Sequence, residues 1–106
     1  MNAAREIDVY EARTFSKALA RLSDAQRDAV DDEIDRIIAD PEIGEQKKGD
    51  LAHIRVHKGT LSGHEVLLAY SWKEEALVIY LLYLGPHENF YRDAKRRRDA
   101  DLRIIK

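Results

Sequence analysis

Between Pro41 and Ile54 the hydrophobic repeat of this 106-residue chain changes from about 3.6 residues to about two. Upstream of the switch, apolar side chains recur as they do along one side of a helix. Downstream they alternate as they do along a strand. A chain too short for two cores must then pack a helical layer against a sheet, which predicts one α+β domain over residues 1–106.

The helical part begins after a short alternating run. In Arg5–Tyr10, Ile7 and Val9 alternate with Glu6 and Asp8, as expected of a half-buried strand at a sheet edge. Thr14 is placed to cap a short helix carrying Phe15, Ala18, Leu19 and Leu22. Ser23 and Gln26 form a capping box for a longer helix with Val30, Ile34, Ile37 and Ile38 on one stripe, bounded by Pro41.

After a Gly44–Asp50 loop, Ile54 and Val56 point one way and His53, Arg55 and His57 the other. Gly59 and Gly63 bracket a loop leading to His64–Trp72, which is apolar on both faces through Val66, Leu68, Tyr70 and Trp72 on one side and Leu67 and Ala69 on the other. Lys73–Glu75 reads as a turn and Ala76–Leu84 as a central strand ended by Gly85 and Pro86. A short helix over His87–Arg98 follows, anchored by Phe90 or Tyr91, while the pattern assigns no element to Asp99–Lys106.

This order predicts an N-terminal strand and helical hairpin packed on a small antiparallel β-sheet, with a short C-terminal helix. If Ile54 and Val56 meet the hairpin, the opposite sheet face presents His53, Arg55 and His57 as a polar surface. That surface is the expected functional site.

Composition narrows the chemistry. The absence of cysteine removes disulfides, thiolate metal sites and thiol nucleophiles. Histidine spacing is not diagnostic for zinc, so no metal and no cofactor is expected. No apolar run approaches the roughly 20 residues of a membrane span, and no leader-like segment opens the chain, which predicts a cytoplasmic protein with no membrane partner. Charge is divided along the chain. Residues 1–46 hold six Lys/Arg against twelve Asp/Glu, and residues 47–106 hold twelve against eight, so an acidic half precedes a basic one. Solvated faces account for such a division as readily as an anionic partner does.

The order of elements, the Leu82–Arg96 segment, the Lys47-Lys48-Gly49-Asp50-Leu51 stretch, the Ser62-Gly63 entry to the third strand with Tyr70 near its end, and Gly85-x-His87-x-x-x-Tyr91 together resemble the RelE/ParE superfamily of type II toxin–antitoxin toxins. The resemblance implies a toxin held by a cognate antitoxin. It implies first a metal-independent mRNA endoribonuclease acting on the ribosome, and alternatively an inhibitor of DNA gyrase that cuts nothing. In RNA-cleaving members basic residues with His or Tyr gather near the end of the last strand, and the YafQ-like subgroup spaces a His and an aromatic as His87 and Tyr91 are spaced here.

Metal-free RNA cleavage needs a base for the 2′-hydroxyl proton, an acid for the departing 5′-oxygen and cations for the phosphorane. His87 and Tyr91, at i and i+4, are the main catalytic candidates, with His57 and His64 as further proton-transfer groups. Lys47, Lys48, His53, Arg55 and Arg92 are candidates for binding RNA. Each histidine also has an ordinary structural explanation as a half-exposed, hydrogen-bonded side chain. The Lys95–Arg98 run suits a phosphate backbone, an acidic antitoxin segment or a solvated helix end equally. Arginine is common in the family where this chain has His64, Glu65 and His87. The departure fits a histidine-based nuclease, a gyrase inhibitor or a degenerate toxin.

Overall fold

The computed structural model describes residues 6–106, and Arg5 of the expected first strand lies outside them. The elements are β1 (Asp8–Glu11), α1 (Arg13–Ala20), α2 (Asp24–Ala39), β2 (Glu45–Gln46), β3 (Arg55–Leu61), β4 (His64–Lys73), β5 (Val78–Gly85), α3 (Phe90–Arg96) and α4 (Arg98–Ile105), with single 3-10 turns at Gly49–Leu51 and Glu74–Ala76. The sheet order is β1-β5-β4-β3-β2. β3 to β5 form the expected antiparallel meander, Glu45–Gln46 of the expected loop adds the two-residue β2 beside β3, and β1 joins the far edge parallel to β5, so the sheet is mixed. A parallel pair needs a long connection, and here the helical hairpin and three strands intervene before β5 returns to β1.

Local chemistry explains most boundaries. The Ser23 hydroxyl accepts from the Gln26 amide while the Gln26 side chain accepts from the Ser23 amide, starting α2 with the expected capping box. Thr14 lies inside α1 and donates instead to the Leu82 carbonyl, tying α1 to β5; Ala12 is the capping residue. Ser62 and Gly63, both at positive φ, make a two-residue β3–β4 turn. Gly59 therefore lies within β3 and not in a loop. A Cβ there would come within 2.7 Å of Glu33, so glycine is required by the helix packed above it.

Both faces of the sheet are covered. Phe15, Val30 and Ile37 of the hairpin meet Leu61, Val66, Leu68, Tyr70, Ile79, Leu81 and Leu84 on one face. On the other face Phe90 and Ala94 of α3, with Ile104 and Ile105 of α4, meet Leu51, Ile54, Val56, Leu67, Ala69 and Leu82. The segment that periodicity left unassigned is thus a packed helix. A bulge between Ala69 and Tyr70 leaves Leu82 without a partner, which puts Leu82 and Tyr83 on the second face.

Two polar contacts lock the hairpin to the sheet. Within the core, His57 Nε2 lies 2.8 Å from Glu33 Oε1, joining β3 to α2. The Tyr70 hydroxyl donates to the Pro41 carbonyl at 2.7 Å and accepts from the Gly44 amide at 2.9 Å, fastening the turn between α2 and β2. Gly59→Ala should lower stability by about 1–3 kcal/mol through forced displacement of Glu33, and Tyr70→Phe by ~1–2 kcal/mol through two lost hydrogen bonds. Urea midpoints of the purified variants at constant slope check both values.

Candidate functional site

The position of the expected site changes because the second sheet face is not open. Ile54 and Val56 face α3 and α4, whereas Arg55 and His57 face the hairpin, the reverse of the expected arrangement. Arg55 Nη1 donates to the carbonyls of Glu42 and Gly44, at 3.2 and 2.8 Å, so its guanidinium holds the loop before β2. Only 8% exposed, His57 is bonded to Glu33 inside the core. His64 is exposed at the tip of the β3–β4 hairpin, and alternation with Val66 and Leu68 puts it on the hairpin side as well. His53 precedes β3 and is buried against Asp101 of α4.

A different group comes together where the second layer ends. The Lys47 ammonium lies 4.9 Å from the centre of the Tyr91 ring, close enough for a cation–π contact. The His87 and Tyr91 rings meet edge to face at 5.8 Å, although His87 lies in the turn before α3 and not in the helix. Phe90, 1% exposed, is the anchor that fixes Tyr91 at the surface, with the two rings 5.3 Å apart. Lys48 follows Lys47 in the chain and Arg92 follows Tyr91, and the Arg92 Nε lies 3.6 Å from Asp93.

Sequence reasoning missed two members of this surface. Glu45 binds Lys47 across 2.7 Å. Its hydrogen bond to Lys47 lowers the Glu45 carboxyl below the usual range and raises the Lys47 ammonium above it, so both are charged at neutral pH. Lys58 projects from β3 in the same row as Leu67 and Gly85 and adds to the positive potential at Glu45. Strand alternation puts Lys58 in the same set as Val56, but only the fold shows which layer that set meets, and the two-residue β2 is too short to reveal Glu45. The assembled surface offers a fixed ammonium, an imidazole, a phenol and a carboxylate beside one another, groups able to contact an anion and to donate or accept protons.

Fold and surface together define a small mixed-sheet protein with a cationic, aromatic face at the end of its last strand. Residues 9–95 match the family described as ParE-like toxin of type II bacterial toxin-antitoxin system, and the chain belongs to that family. Its fold is similar to that of the toxin in the intact E. coli RelBE complex, with a TM-score of 0.64 at 17% identity over 78% of this chain and 99% of the other. A free-state mutant of E. coli toxin RelE gives 0.67 at 18% over 86% and 96%. The archaeal RelE–RelB complex from Pyrococcus horikoshii gives 0.55 at 21% over 77% and 96%. No curated protein matches by sequence. Among the described residues no helix is long and apolar enough to cross a membrane.

Away from this surface, Asp101 is buried on the inner side of α4, and loss of hydration raises its carboxyl to about 6, opposed by Arg97. Burial and Arg98 lower His53. The folded chain therefore binds the Asp101 proton more tightly than the unfolded chain does. The stability this group contributes is full below about pH 4 and is lost as pH rises towards 6. Asp101→Asn should stabilise the protein by ~2–3 kcal/mol at pH 7 and by little at pH 4. Denaturant melts of both chains across that range test the sign, and a variant that destabilises at pH 7 would refute it.

Proposed function

We propose that the chain is the toxin of a type II toxin–antitoxin module and that it cuts messenger RNA on the ribosome without a metal ion. The observation that supports this reading best is the convergence of Lys47, Tyr91 and His87 at one surface, with Glu45 holding the Lys47 ammonium. In the reaction the ribose 2′-oxygen attacks phosphorus and gives up its proton, and the 5′-oxygen leaves with a proton supplied to it. Lys47 offsets the charge of the phosphorane, His87 moves a proton, and the Tyr91 ring positions or stacks the nucleotide. Lys48, Lys58 and Arg92 hold the backbone.

His57 and His64 face the hairpin, so His87 is the histidine of this surface among the described residues. Alignment of the 2′-hydroxyl then falls to whatever holds the message, and a decoding ribosome does so. Solved RelE neighbours include complexes with RelB. By analogy we assign this chain a cognate antitoxin as partner and the cytoplasm as its place of action.

Membership in a ParE-like family supports a second reading, inhibition of DNA gyrase by surface contact. Induction of wild type, His87→Ala, Tyr91→Ala and Lys47→Gln in a bacterial host, followed by growth and mRNA 5′-end mapping, separates the two. Arrest by wild type with new cuts inside translated messages is expected, and each variant should cut roughly 100-fold less or weaker still while melting normally. Arrest without new ends would overturn the nuclease reading in favour of gyrase.

A further inference from the structure

A cavity of about 280 Å³ opens between α4 and the 3-10 turn before β3, lined by Gly49, Asp50, Ala52, His53, Arg98 and Leu102. That is far more room than one water needs and close to the lower limit of small-molecule sites, roughly 300 Å³. The His53 side chain is only 7% exposed, yet neither ring nitrogen has a hydrogen-bond partner among the described residues. Its nearest carboxylate, Asp101 Oδ2, is 3.7 Å from Nε2, beyond hydrogen-bonding reach. Burying an imidazole with both nitrogens idle costs stability unless the site is built to be filled.

We propose that this cavity is a nucleotide pocket, in which the His53 ring, turning its enclosed nitrogens toward the opening, bonds the edge of an unstacked base and Arg98 holds the attached phosphate. Its biological role rests on the RNA-cleaving reading above. A neutral imidazole offers one donor and one acceptor, and a base edge carries both kinds of group in one plane, whereas a free phosphate offers mainly acceptors. Ala52 and Leu102 supply apolar walls for the faces of a flat ring. Arg98, 45% exposed at the side chain, suits a phosphate near solvent. Asp50 at the rim can accept from amino groups of a base and disfavours a second phosphate, which selects a mononucleotide unit over a polyphosphate.

Position in the chain links the pocket to the reactive surface. Lys47 touches Tyr91, Lys48 follows, and Gly49 already lines the cavity. A strand crossing that loop can place its scissile phosphate at Lys47 and a neighbouring base beside His53. The pocket would then set a base preference next to the cut, a role distinct from the proton transfers of His87.

The test is NMR titration of the purified full chain with AMP, GMP, CMP and UMP and, separately, inorganic phosphate. At least one nucleotide should shift the His53 ring resonances saturably and bind roughly tenfold more tightly than phosphate. Leu102→Phe, which fills the cavity, should weaken that binding about tenfold, and Arg98→Gln, at an exposed position, should do so without touching the core. Glu65→Gln, at the exposed start of β4, should leave it unchanged. Equal binding of phosphate and nucleotides, no shift at His53, or nucleotide binding indifferent to both pocket variants would overturn the proposal. Messages cut by a chain whose His53 ignores nucleotides would defeat the pocket alone, and nucleotide binding without message cleavage would defeat the nuclease reading alone.

Discussion

The structure depends on burying β4 from both sides. Leu68 and Tyr70 project into the layer beneath the helical hairpin, and Leu67 and Ala69 project into the layer beneath α3 and α4, all four nearly or fully excluded from solvent. A strand in that position cannot tolerate an open sheet face, so the C-terminal segment must fold back as a cover. The C-terminal helices are consequently structural, and their packing decides where the functional surface begins. Phe90 enters the second core, which leaves the adjacent Tyr91 at the edge of the cover and within reach of Lys47.

Polar groups are handled differently in the two layers. Under the hairpin, Glu33 and His57 satisfy one another, and the Tyr70 hydroxyl is used as both donor and acceptor. Under α4, His53 has two idle nitrogens and the Arg97 Nε has no partner among the described residues, while Asp101 is buried with an elevated affinity for its proton. The first layer reads as a settled core, and the second retains unspent bonding capacity beside a cavity. Uncompensated buried polar groups lower stability, so their concentration in one place marks the part of the fold shaped by something other than stability.

Much of this architecture was legible beforehand because its causes are local. The capping box at Ser23, the stripe of α2, the doubly apolar β4 and the element order all follow from short-range geometry, and the observed positions agree. The aromatic anchor also followed, since a helix with Phe90 and Tyr91 as its main apolar groups must bury one of them. Asp99–Lys106 was not legible, because α4 uses Ile104 and Ile105 near its end against a surface made by distant residues. Lys47 and Tyr91 were identifiable by type and resemblance, but their contact depends on a loop and a helix separated by three strands.

The sequence by itself determined the periods, the turns and the residue types available for chemistry, since each depends on neighbours within a few positions. Tertiary structure alone decided which side of β3 meets which layer. Alternation divides a strand into two sets without labelling them, and where both sets become buried, hydrophobicity cannot choose between them. That choice put His57 against Glu33 in the core, turned Arg55 into a loop clamp, and left His87 with Lys47 and Tyr91 at the surface.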